Sequence, residues 1–170
     1  MNFKSASLLA CGLLLSVANT AWAQLAVEDL DWKETEVPSP PAFDVGRLVT
    51  FEVSPNSSLA YGVDPAAISI SKRDNLARYV MVATSSSGAR NVMYEGLRCS
   101  TGEFKTYARY SPDGRWDMVS NPEWRSLFGN MPSKQTLRFA KADSCDNAAP
   151  VMSVNELVSR LKNPNFKITQ

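Results

Sequence analysis

The chain has 170 residues, with 18 basic against 17 acidic side chains, three cysteines and no histidine. A near-neutral total argues against nucleic acid as a partner. Without histidine there is no Ser-His or Cys-His nucleophile pair, and cysteines alone cannot assemble an ordinary zinc site here. The length suits one domain with a core of its own.

Residues 1–23 carry Lys4 as their only charge, an apolar run from Ser5 to Val17, and the small-x-small sequence Ala21-Trp22-Ala23. That order is the one of a cleavable secretory signal. The run is shorter than the roughly 20 residues a membrane span needs, so no transmembrane anchor is expected. A rival box, Leu8-Leu9-Ala10-Cys11, would make a lipoprotein through Cys11, but the better apolar stretch lies behind it. The expectation is therefore Sec export to the periplasm with a mature chain from Gln24, lipidation at Cys11 being the alternative. The cysteines that remain, Cys99 and Cys145, should pair in an oxidising compartment.

Residues 24–46 form an acidic, Pro-rich stretch: Glu28, Asp29, Asp31, Glu34, Glu36 and Asp44 stand against Lys33, with Pro38, Pro40 and Pro41 behind them. It predicts an extended arm with Trp32 as its anchor. From Arg47 the pattern becomes that of strands. Leu48–Val53, Ala67–Ser71, Ala77–Thr84, Asn91–Cys99, Phe104–Tyr110 and Arg115–Val119 are predicted strands, with turns at Ser85–Gly88 and Pro112–Gly114. Asn121 and Pro122 predict a helix over 122–128, and the capping box of Ser153 and Glu156 predicts another over 153–161. Between them Gln135–Lys141 alternates weakly as a seventh strand. The expected fold is α+β: a single domain over 47–170, with an antiparallel sheet of about six or seven strands, two short helices and one disulfide.

Charge is uneven along the chain. Residues 24–64 carry a net −6, and residues 72–115 a net +4. The acidic arm is expected to lie on the basic sheet and cancel it; the alternative leaves a basic surface free for an anionic partner.

Nucleotide loops, nucleophile elbows and calcium loops are absent from the sequence. What survives is carboxylate chemistry, with Glu95, Glu103, Asp113 and Asp117 as candidates. On the strand 91–99, strict alternation puts Glu95 on the face of Met93, Leu97 and Cys99, which should be the core. An unpaired carboxylate there is costly, so Glu95 should meet Arg78 or sit at a bulge that Gly96 allows. The even face of the same strand shows Arg90, Tyr94 and Arg98, and the odd face of the next shows Lys105, Tyr107 and Arg109. Guanidinium groups beside Tyr rings can grip carboxylates, phosphates or sugars. Trp116 and Trp124 read as core plugs.

The spaced residues Arg78-Tyr79, Ser87-Gly88-Ala89, Asn91-Val92, Tyr94-Glu95-Gly96, Arg98-Cys99, Trp116 and Trp124, with Asp31-Trp32-Lys33-Glu34 and Cys145, resemble the cryptic neisserial protein family of bacterial envelope proteins. The resemblance implies an exported domain and carries no catalytic residue over to this chain. The leading expectation is a non-catalytic envelope protein that binds an anionic partner, a protein or a glycan, without cofactor or metal. Its candidate surface holds Arg78, Arg90, Tyr94, Glu95, Arg98, Tyr107 and Arg109. The rival is a small hydrolase of cell-wall glycan with Glu95 as its acid. A structural accessory of an envelope assembly is a third reading.

Overall fold

A computed structural model describes residues 31–130 and 134–163; the signal segment, Cys11, Gln24, Glu28 and Asp29 lie outside them. In chain order the strands are β1 (Val49–Phe51), β2 (Leu59–Val63), β3 (Ser69–Ser71), β4 (Leu76–Ser85), β5 (Arg90–Arg98), β6 (Glu103–Tyr110), β7 (Trp116–Met118) and β8 (Arg125–Ser126). Helix α1 (Gln135–Phe139) runs into a π-helical turn, Ala140–Ser144, before β9 (Cys145–Asp146), β10 (Ala149–Pro150) and α2 (Val154–Leu161).

One antiparallel sheet holds β1 to β8 in the order β1-β2-β4-β5-β6-β7, with β3 alongside β4 and β8 alongside β6. The central strands are rich in β-branched and aromatic residues and are buried without alternation, from Leu76 to Ala83 and from Val92 to Arg98. Continuous burial means that both faces are covered. On one face Tyr79, Met81, Met93 and Leu97 pack with Phe139, Val151 and Leu157 of the C-terminal segment. On the other, Val80, Val82, Val92, Tyr94 and Tyr107 are covered by Val37 and Phe43 of the arm and by Leu48 just beyond it. The Cys99–Cys145 disulfide ties the end of β5 to β9, closing 46 residues. The turns that follow β4, β5 and β6 use Gly88 at φ +85°, Gly102 at φ +63° and Gly114 at φ +78°, where a side chain would be strained.

Several elements differ from the sequence pattern. The sheet has eight strands rather than six or seven because β2 and β8 join it. Strand β2 is short and ends in Gly62-Val63; a Cβ at Gly62 would stand 3.1 Å from Leu48 Cβ, so the glycine lets β1 approach. The expected strand at 67–71 starts later, because Asp64 caps a tight turn over Pro65–Ala67. Residues 122–128 are not a helix. A stretch this short cannot repay helix nucleation on its own, and β6 captures it: Arg125–Ser126 pair with Phe104 and Glu103, and Leu127 N–H donates to Gly102 O. The weak alternation at 135–141 is helical instead, with Gln135, Thr136, Phe139 and Ala140 buried, a spacing of one helical face. Helix α2 starts as expected, with Ser153 Oγ accepting from Glu156 N–H at 3.2 Å.

Candidate functional site

Register places the charged residues of the sheet on two different faces. Arg78 on β4 stands opposite Gly96 on β5, which stands opposite Lys105 on β6. These three positions form one row on the face covered by the arm. The next row, Tyr79, Glu95 and Thr106, belongs to the face covered by α1. A one-residue step flips a side chain across the sheet. The expected Glu95–Arg78 pair is therefore absent: adjacent rows point opposite ways.

The missing side chain at Gly96 shapes the first row. A Cβ there would lie 2.1 Å from Tyr107 Oη and 2.8 Å from its ring carbon, so the phenol occupies the gap between Arg78 and Lys105. Tyr107 reaches it because the register shifts between Tyr94 and Glu95, with Tyr94 opposite Ala108 and Glu95 opposite Thr106. Tyr107 is thus the extra residue of a bulge on β6. The bulge expected at Glu95 itself falls instead on the neighbouring β6, with β5 regular through Gly96, and it also corrects the face assignment downstream. Arg109 stands opposite Met93, on the face of Glu95, and no longer lies with Lys105 and Tyr107.

The arm lays Glu34 over this row. Its carboxylate accepts from Tyr107 Oη and Lys105 Nζ, both at 2.5 Å, and lies 3.7 Å from Arg78 Nη2. Thr35 donates through N–H and Oγ1 to Asp74 Oδ2 at 3.1 and 2.6 Å, and Arg78 donates to the same oxygen at 2.6 Å. Burial pushes the Asp74 carboxyl up, but bonds from Arg78, Ser71 and Thr35 outweigh it and hold the pKa well below the usual range. Burial likewise raises the Tyr107 phenol, and the hydrogen bond and charge of Glu34 raise it further, so Tyr107 stays a donor.

Beside this cluster the Arg98 guanidinium lies 3.8 Å over the Trp32 ring, and Trp124 meets Trp32 edge-on at 5.7 Å. Trp32 Nε1 donates to Asp74 O at 2.8 Å. Lys105 Nζ lies 4.7 Å from the Trp124 centroid, so Trp124 is part of the polar face and not a core plug. Trp116 does pack, against Phe43 and Tyr110. Arg90 stands opposite Thr84 on the same face but at the exposed end of the strands, away from Glu34's partners.

Glu95 is 1% exposed on the opposite face. Among the described residues its hydrogen-bond partners are hydroxyls: Thr136 of α1 at 3.0 Å, Tyr79 at 3.2 Å and Thr106 at 3.4 Å. Burial dominates and pushes its pKa up to about 7 from the ordinary 4.5, against the opposing hydrogen bonds and the charge of Arg109. A general acid must reach a glycosidic oxygen, and this carboxyl is sealed beneath α1.

Arg78, Tyr94, Arg98 and Tyr107 thus share the arm face, whereas Glu95 and Arg109 do not. Sequence reasoning passed over Asp74, Thr35 and the second arm anchor, Phe43, which packs on Tyr110 at 5.0 Å. The usable signal was Gly96 inside a strand, which marks a close approach from above. Among the described residues no group of three or more Cys, Asp or Glu side chains is placed to hold a metal, and no helix is long and apolar enough to cross a membrane.

A disulfide-closed antiparallel sheet, with helices on one face and a charged arm strapped over the other, defines a small α+β domain with an ion cluster beneath the arm. Residues 27–162 match the model of the CNP1-like family, and the chain belongs to that family. No curated protein and no solved structure matches it.

Proposed function

We propose that the protein is a non-catalytic periplasmic binding module that receives a carboxylate of an anionic envelope partner on the cationic face of its sheet, residues 31–37 closing that face in the free chain. The observation that carries this reading is the seating of Glu34 among Arg78, Lys105 and Tyr107, an anion site built from two strands and filled by the chain's own carboxylate. Arg98, Tyr94 and Trp124 extend it. The signal-like leader and the disulfide support export. The division of the arm supports release: residues 32–35 hold on through polar and ring contacts, whereas Phe43 and Leu48 pack beyond Pro38, Pro40 and Pro41. The first half, with Val37, can leave while Phe43 and Leu48 keep their share of the apolar floor covered.

The experiment compares the mature chain with one lacking residues 24–37 in co-sedimentation with cell-envelope material at low and high salt. The truncated chain should stay folded and gain binding that salt abolishes. A truncated chain that is folded yet binds nothing overturns the reading, and one that unfolds makes the arm a structural strap.

A further inference from the structure

Without Glu34 the cluster around its seat, leaving aside the distant Arg90, holds Arg78, Arg98 and Lys105 against Asp74 and Glu103, one positive charge in excess. It therefore balances a single carboxylate. A polyanion would bring neighbouring charges against Asp74, whose Oδ2 already serves as an acceptor for the N–H and hydroxyl of Thr35. An acceptor aimed at a backbone N–H suits a peptide. A third element is the seat of Trp32, bounded by Arg98, by Trp124 and by the Asp74 carbonyl that takes the indole N–H. Ring, carboxylate and backbone donor are thus read at fixed spacing along one extended segment.

We infer that the ligand of this face is an extended acidic segment of a partner protein, with an aromatic side chain two residues before a carboxylate, for which Trp32-Lys33-Glu34-Thr35 is the resident stand-in. The inference rests on the reading of this face as a binding site. The partner's segment displaces residues 31–37, peeling them at the prolines. The intact chain binds it more weakly than a chain without the arm, because only the open fraction is competent.

The probe is a short synthetic peptide carrying Trp-x-Glu-Thr in an otherwise unrelated Ser/Ala background, titrated by calorimetry into the chain lacking residues 24–37. Binding is expected, and Gln in place of the peptide's Glu should weaken it about tenfold to a hundredfold, the loss of a charged hydrogen bond. Ala in place of its Trp should weaken it as well. Tighter binding of polyglutamate or anionic glycan than of the peptide overturns the inference while the anion-binding face stands, and equal affinity for the Gln peptide overturns both. A folded truncated chain that binds neither peptide nor envelope material brings down the function reading itself.

Should the truncated chain not fold, the full chain with Trp32→Ala and Glu34→Gln keeps its Phe43 anchor. The peptide should then raise the melting temperature of that variant toward the parent's, and an unchanged melting temperature overturns the inference. A mass doubling of the full chain that is lost with Glu34→Gln also overturns it, since the occupant would then be the arm of a second copy.

Discussion

Replacing Glu95 by Gln keeps the shape of the side chain and one acceptor oxygen but removes its titration. In the folded protein this carboxyl has its pKa pushed up to about 7, against 4.5 ordinarily, because it lies among apolar side chains with hydroxyls as partners. A raised carboxyl pKa means that the folded state binds the proton more tightly. The stabilisation is fully present below pH 4.5 and is lost as pH rises through 7. The shift corresponds to about 3 kcal/mol, at a slope of about 1.4 kcal/mol per pH unit. Asp74 acts in the other direction and elsewhere: with its pKa held low, its stabilisation is present above 3.8 and lost as pH falls below that. The two windows do not overlap. Urea unfolding of the oxidised protein across pH 4.5 to 7 should therefore show the parent losing stability relative to Glu95→Gln, the variant being the more stable at the upper end. A difference between parent and variant that stays constant over this range would refute the reasoning, for it would mean that the carboxyl meets water or a cation. A Glu95–Arg78 ion pair would have had the variant less stable at neutral pH.

Arg78→Ala should destabilise by about 3–5 kcal/mol in urea unfolding, because Asp74 is left buried without its cation. Arg47→Ala also removes a 3.0 Å ion pair to a buried carboxylate, yet Arg47 is 57% exposed and Asp64 keeps the N–H groups of Asp44 and Ala66, so the effect should be smaller, about 1 kcal/mol, in the same assay. Gly96→Ala should cost about 1–3 kcal/mol in chemical unfolding, since the new methyl group displaces the Tyr107 ring. In an NMR spectrum it should also shift Tyr107, a result that a backbone effect alone would not produce. Reducing Cys99–Cys145, which closes 46 residues, should lower stability by about 4 kcal/mol on the chain-entropy account, read as a fall in the denaturant midpoint.

The long central strands, the turns at Gly88 and Gly114, the capping of α2 and the disulfide were all legible along the chain, because each follows from residues close in sequence or from simple pairing of the cysteines that remain. The placement of Glu95 on a core face was legible too, by alternation within one strand. What alternation could not give was the partner. Arg78 and Glu95 lie on neighbouring strands, and whether they meet depends on a register of one residue, which puts Tyr79 opposite Glu95 and turns Arg78 to the other side. The bulge at Tyr107 then sends Arg109 away from Lys105, a change of face that one extra residue in one strand suffices to cause. Residues 122–128 and 135–141 were misread for a related reason: short segments have weak intrinsic preferences, and contact with β6 or with the core beneath Phe139 decides them.

Local chemistry by itself thus determined which segments are extended, that the arm is acidic and the sheet basic, and that the cysteines join. Only the tertiary structure decided that one carboxylate of that arm, Glu34, sits among Arg78, Lys105 and Tyr107 while Glu95 lies on the far side of the sheet among hydroxyls. The bonds of Glu34 span 71 and 73 residues of chain, a separation over which no sequence pattern carries orientation and only the packed sheet does.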